Sequence, residues 1–296
     1  MQDLKIGIIG GSGLGAAFSS DVKHNIDTPF GKPSDAIVET SINNVPLFFL
    51  SRHGPGHLLN PSQVPYRANI FALKQLGVTH IIASGAVGSL RDEMKPRDLV
   101  VVQQIIDKTI KRENTFYENA AVHVEFAEPF CSVLRQLLID AGKSDGANHT
   151  VHDRGCYVAM EGPAFSTRAE SLMHRLWGGD LIGMTAMPEA KLAREAEISY
   201  ALIALVTDYD SWKSKPNEPH APREQLLKEI IGHLQSASEN AVTLIRRAVE
   251  LAADRKEALL SADSQRSLEL AIWSNKEAIP PAQVDYLRPL WGKYFS

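Results

Sequence analysis

Six apolar runs of strand length recur along the chain: IGIIG (6–10), VPLFFL (45–50), HIIASGA (80–86), DLVVV (98–102), DLIGMT (180–185) and ISYALIALVTD (198–208). None alternates in the manner of a strand with one wet face. Near-continuous apolar character means strands buried on both sides, and a sheet of such strands needs a covering layer above and below. The segments between them supply it. Residues 65–77 begin with Pro65 in a first turn and stop at Gly77, a start and a stop suited to a helix. Residues 127–142 carry apolar side chains at helical spacing and end in Gly142; 185–197 and 223–255 follow the same period. Strands alternating with helices predict an α/β sheet covered on both faces. With 296 residues, 44% of them apolar, one large domain is within reach. It is expected over 1–254, with 255–296 as a C-terminal helical appendage packed on the same domain. The proline-rich stretch 213–222, KSKPNEPHAP, reads as a surface loop and, lying just after TDYDSW, as a candidate lid.

Charge and cysteine usage narrow the function. A net charge of −4 lacks the basic surplus of a nucleic-acid binder. No run approaches the ~18 apolar residues of a membrane helix. The two cysteines, Cys131 and Cys156, make no disulfide framework and suit a reducing compartment, so the expected setting is the cytoplasm.

The ends of the buried runs carry the candidate chemistry. After the first, Gly11, Gly13 and Ala16 match the dinucleotide fingerprint G-x-G-x-x-A. That fingerprint needs an acidic residue closing a second strand about 20 residues on. Glu39 lies in an alternating segment and serves poorly, as do Asp21 and Asp27 in polar surroundings. Ser12, a hydroxyl among glycines with free N–H groups around it, instead makes a small anion nest. After the second run stand Arg52, a fork donor suited to phosphate, and His53. His57 follows nearby, without a third ligand at zinc spacing. The stretch 83–90, ASGAVGSL, reads as a further strand-end loop in which Gly85, Ala86 and Gly88 leave backbone N–H groups open. Thr185 is expected to open a helix whose N-terminus attracts anions. Phe165, beside glycine and proline, suits stacking on a base, while Glu161 and Glu189 suit helix capping or a sugar hydroxyl. The last run ends in Asp208 and Asp210, whose i, i+2 spacing puts both on one face of an extended strand. Paired carboxylates in such a place share protons, and one held protonated acts as a general acid.

These pieces, in this order, resemble the trimeric nucleoside phosphorylases, above all the members that cleave methylthioadenosine. GIIGGSGL, DTPFGKPSD, RHG with His57 beyond it, AEPFC, EGPAFSTRAES, MTAMPEAKLAREA and TDYDSW carry the resemblance, which runs from residue 5 to about residue 247. It implies a central mixed, partly barrel-like β-sheet flanked by helices, with a C-terminal helical extension. It also implies phosphorolysis of a purine nucleoside bearing a 5′-methylthio group, with inorganic phosphate as co-substrate and no metal or organic cofactor. Ser12, Arg52, His53, Gly85, Ala86 and Thr185 would hold phosphate. Gly85 departs from the family's hydroxyl residue there. Phe165, Ser166, Met184, Asp208, Tyr209 and Asp210 would meet base and sugar, the two aspartates recognising N7 and the 6-amino group as the catalytic pair. Leu227, Ile230 and Ile231 would line an apolar 5′ pocket. His123 would reach into it from a neighbouring subunit of a homotrimer. Gly183, where animal members have Asn, leaves a 6-oxopurine or methylthioinosine substrate as the alternative. A dinucleotide-dependent oxidoreductase is the more distant one.

Overall fold

The computed structural model describes residues 3–143, 149–213 and 223–295, except for the side chains of Ser12, Arg223 and Leu226. The strands are β1 (Ile6–Gly10), β2 (Lys23–His24), β3 (Ile37–Ile42), β4 (Val45–Ser51), β5 (His80–Ser89), β6 (Leu99–Val101), β7 (Gln104–Asp107), β8 (Val151–His152), β9 (Cys156–Ala159), β10 (Leu181–Gly183) and β11 (Ser199–Tyr209). The helices among the described residues are α1 (Ser12–Gly15), α2 (Tyr66–Gln75), α3 (Ser132–Lys143), α4 (Arg168–Leu176), α5 (Glu189–Glu195), α6 (Arg223–Ala252), α7 (Lys256–Leu260), α8 (Pro281–Tyr286) and α9 (Arg288–Trp291). Of the candidate lid, 213–222, all but Lys213 lies outside the described residues.

β5 is the hub of the sheet. One of its edges pairs in parallel with β11 along its whole length. The other edge is shared: β1 pairs with 80–83, and β10 pairs antiparallel with Gly88 and Ser89. Residues 84–87 therefore face neither strand on that edge. β11 also pairs with β6, whose chain continues into β7, which pairs with β9, which pairs with β10. The pairings close a ring, β5–β11–β6/β7–β9–β10–β5, and this makes the mixed sheet partly a barrel. ASGAVGSL is thus not a loop, as its small residues suggest, but the second half of β5. Its glycines fit close neighbours: a Cβ on Gly88 would lie 3.3 Å from Asp210 Cβ.

The helices cover both faces as the apolar runs require. On α6, Ala237, Ala241, Leu244, Ile245, Ala248, Val249 and Ala252 are buried at helical spacing. Their cluster includes Ile8, Ile82, Leu134 and Ile203. Each such large side chain contributes roughly 1.5–3 kcal/mol by leaving water. Gly142 does not stop α3, which continues to Lys143; a Cβ there would sit 3.0 Å from Val151, so close packing rather than a cap explains this glycine. In the last 40-odd residues, Leu287, Leu290 and Trp291 are buried in the larger core cluster with Tyr117 and Tyr200. The topology removes the dinucleotide reading. A four-residue α1 follows β1, and the next strands form an antiparallel β2–β3–β4 meander instead of a parallel crossover. Gly13 is explained by α6, since its Cβ would meet Ser238 Oγ at 2.8 Å.

Candidate active site

The unpaired stretch of β5 is one end of the site. Arg52 emerges from β4, 1% exposed, and Glu189 grips its guanidinium with two 2.9 Å hydrogen bonds, from Nε and Nη2. Nη1 donates to the Ser84 carbonyl at 2.7 Å. Because Ser84 turns its carbonyl to this edge, the two-residue period of a strand points the Ala86 N–H into the same gap. Thr185 lies over the gap. Its N–H donates to the Tyr157 hydroxyl at 3.2 Å, and its buried Oγ1 has no hydrogen-bond partner. A Cβ on Gly85 would come within 2.8 Å of that oxygen. Thr185 does not open a helix: it sits in a bend, and α5 starts only at Glu189. The anion-attracting feature here is therefore a hydroxyl and not a helix N-terminus. The bend is held by Arg112, whose Nη1 donates to the carbonyls of Met184 (2.7 Å) and Met187 (2.5 Å). Ser12 occupies the first turn after β1, and its side chain lies outside the described part.

His53 borders this end. Its Nδ1–H donates to the Leu59 carbonyl at 2.8 Å, and its ring stacks on His57 with centroids 4.2 Å apart. With the proton fixed on Nδ1, Nε2 is an acceptor. Burial above all, with the charge of Arg52 adding, pushes the imidazole down to about 4, so it is neutral near pH 7. Gly183 is explained inside the chain as well. Its Cβ would lie 2.1 Å from the hydroxyl of Tyr157, which is wholly buried. The glycine fits the space that Tyr157 leaves.

The carboxylates stand at the other end, where β11 leaves the sheet. Asp208 Oδ1 accepts from Thr207 Oγ1 at 2.6 Å. Burial, the largest influence, and the neighbouring Asp210 raise its carboxyl above the usual range. Asp210 is buried, and its Oδ2 has no hydrogen-bond partner. Tyr209, between them, faces the other way: its hydroxyl donates to the Asp92 carbonyl at 3.2 Å and Lys213 lies over its ring. It is not brought together with the aspartates.

The flanks are more open. Phe165 is 84% exposed. Ser166 is buried beside Met160 sulfur, and its carbonyl accepts from Ser211 Oγ. Met184 sulfur lies against Gly162, where a Cβ would approach to 2.5 Å. Glu161 is occupied by Ser62, the N–H groups of Ile110 and Lys111, and Arg112; of its contacts these hydrogen bonds hold it down to about 2, against the opposing pull of burial. Leu227 and Ile231 are exposed on the first turns of α6, with Ile230 half-buried. His123 is exposed and meets Trp273 edge-on at 4.6 Å, on the face formed with the C-terminal segment. Tyr157, Arg112 and His233 contribute to the site without having been singled out in the sequence. Arg112 sits in a charged run, KRE, that resembles a solvated surface.

The model of the phosphorylase superfamily matches residues 5–250. An S-methyl-5′-thioadenosine phosphorylase of Synechocystis is 47% identical over 300 residues, covering 100% of this chain and 89% of that protein. One of Xenopus tropicalis is 47% identical over 251 residues, covering 82% and 88%. Among solved structures, a methylthioadenosine phosphorylase from an Antarctic soil metagenomic library superposes with a TM-score of 0.88 at 43% identity, over 98% of this chain and 99% of that one. The adenosine/methylthioadenosine phosphorylase of Schistosoma mansoni, as its S12T mutant in complex with methylthioadenosine, gives 0.82 at 37%, over 92% and 99%. With a family model matched over most of its length and relatives this similar along the whole of it, the chain belongs to the phosphorylase superfamily and, within it, to the S-methyl-5′-thioadenosine phosphorylases.

Proposed function

We infer that this chain cleaves S-methyl-5′-thioadenosine with phosphate, giving adenine and 5-methylthioribose 1-phosphate. The observation that carries the reading is a pair of buried polar groups left without partners, Thr185 Oγ1 at one end and Asp210 Oδ2 at the other. Buried polar atoms are rarely left unpaired in a finished site, so each calls for a ligand atom. Gly85 and Gly88 back these two ends and are three residues apart on β5. About 10 Å of strand separates the two glycines.

Phosphate is held by the Thr185 hydroxyl, the Ala86 N–H, Arg52 and Ser12. His53 Nε2 accepts the O–H of hydrogenphosphate. Adenine departs poorly as an anion, and Asp208, whose carboxyl burial raises above the usual range, delivers a proton to N7. General acid help of this kind is worth about 10²–10⁴-fold. As the C1′–N9 bond breaks, positive charge grows on the sugar, and the phosphate dianion stabilises it and forms the new C1′–O bond. The proton lost by hydrogenphosphate replaces, by way of solvent, the one Asp208 gave. Asp210 accepts from the 6-amino group. Phe165, Ser166 and Met184 pack on base and sugar. No metal or organic cofactor takes part. Leu227, Ile230 and Ile231 line the 5′ pocket, completed by His123 of a neighbouring copy in a homotrimer. A cytoplasmic setting fits this salvage role, and no helix among the described residues is long and apolar enough to cross a membrane.

The test is adenine release from methylthioadenosine with and without phosphate, with inosine and methylthioinosine as competitors. Phosphate-dependent release, fastest with methylthioadenosine, is expected. Faster turnover of inosine would remove the aspartate argument.

A further inference from the structure

The end of β11 is irregular in a way that concerns the acid. Val206 pairs with Val87 and Asp208 with Gly88, so Thr207 is an extra residue with no opposite number on β5. A bulge in a parallel pair is uncommon, and bulges beside active sites re-aim the side chain that follows. The bulge also takes the Thr207 carbonyl out of the ladder, and such a carbonyl needs another donor. The donor comes from α6: His233 Nδ1–H reaches the Thr207 oxygen at 2.8 Å. On the same residue the Thr207 hydroxyl donates to Asp208 Oδ1 at 2.6 Å, with the Val87 carbonyl at 3.2 Å as its second neighbour. One residue is thus held by its carbonyl from the helix while its side chain holds the carboxylate.

We propose that His233 is a positioning residue for the reaction: it pins the Thr207 bulge from α6 and through it sets where the Asp208 carboxyl points. The inference rests on the phosphorolysis reading for its kinetic test, though not for its structural one. His233 is half-buried, on the turns between the exposed Ile231 and the buried Ala237. Its imidazole has only to donate one hydrogen bond, and asparagine carries an N–H at the same distance along its side chain as Nδ1. Alanine, a better helix former, removes the donor without weakening α6.

Two measurements decide the matter. In methylthioadenosine phosphorolysis, His233→Ala should lower kcat by on the order of 10²-fold, the scale of a misplaced catalytic group, with KM for phosphate unchanged. His233→Asn should restore most of the loss, since a merely space-filling role would not distinguish an amide from a methyl group. In crystals of His233→Ala, the shift in register between Val206 and Asp208 should be lost or the Asp208 carboxyl should turn. A turnover for His233→Ala equal to that of the parent, an Asn variant no better than Ala, or an Asp208 unmoved in the Ala crystal would each overturn the proposal. If the parent protein itself fails to release adenine, the functional reading falls, and the crystal comparison still judges the bulge.

Discussion

The two ends of the site are built differently. The anion end, as far as it is described, is held by buried groups of one chain. Arg52 is neutralised by Glu189, whose Oε1 also accepts from Tyr200 at 2.9 Å; Thr185 is fixed by Tyr157, and the bend around it by Arg112. The end proposed for the nucleoside is more open: Phe165, Leu227 and Ile231 are exposed, and His123 lies beside Trp273 on a separate face. A small dianion must be met by groups that do not move, because preorganised donors cost no rearrangement at the moment of reaction. A purine and a methylthio group are recognised by area, and area can be completed by another surface. Within the open end Asp210 is buried and Asp208 half-buried, so the aspartates are where the comparison is most easily broken. Asp208→Asn keeps the shape and removes the proton donor. Turnover of methylthioadenosine should fall by about 10²–10⁴-fold, with the circular-dichroism spectrum and phosphate KM unchanged. Turnover at the parent rate would take Asp208 out of the chemistry.

The second test strikes the anion end. Glu189→Ala leaves the Arg52 guanidinium buried without its counter-charge. Removing one partner of a buried pair costs about 3–5 kcal/mol, to be read by urea denaturation, and phosphate affinity should fall with it. An equivalent loss from Leu227→Ala is not expected, since that side chain is 59% exposed. If both variants lose stability equally, the contrast between the ends is wrong.

The same contrast governs what was legible in the sequence. Runs such as ISYALIALVTD announce themselves because burial on both faces writes a continuous apolar stretch, and β11 spans nearly all of it. ASGAVGSL was misread because small residues signal a turn and an open strand edge alike. Only the topology, with the β1 pairing ending at Ala83 and the β10 pairing beginning at Gly88, tells the two apart. Glu189 was legible as acidic but not as the partner of Arg52, 137 residues away. Gly183 and Tyr157 explain each other only when strands β9 and β10 lie side by side. Local pattern carries elements, whereas the pairing of distant residues is settled by which strand neighbours which.

Thr185→Val sharpens the comparison on a smaller scale. The methyl group fills the place of Oγ1 and removes one hydrogen bond to phosphate. KM for phosphate should rise about tenfold, on the order of 1–1.5 kcal/mol, with little change in KM for the nucleoside. A rise in the nucleoside KM instead would assign the hydroxyl to the sugar.

The smallest effect concerns His53. In the folded chain the imidazole is pushed down to about 4, below its ordinary value near 6.5. Above 6.5 folded and unfolded rings are both neutral, and the difference contributes nothing. As pH falls through 6.5 the unfolded chain takes up a proton that the folded ring refuses, so stability declines until about pH 4, where the folded ring is protonated too. With solvent screening the loss by pH 5.5 should be below about 1 kcal/mol, visible as a falling Tm that His53→Gln flattens. Phosphate should flatten it as well. A bound anion favours the imidazolium, whose Nε2–H would then donate to it, and so closes the gap between the folded and unfolded values. A Tm slope indifferent to phosphate, while methylthioadenosine phosphorolysis persists, would separate His53 from the anion end and leave it as a support for the loop at Leu59.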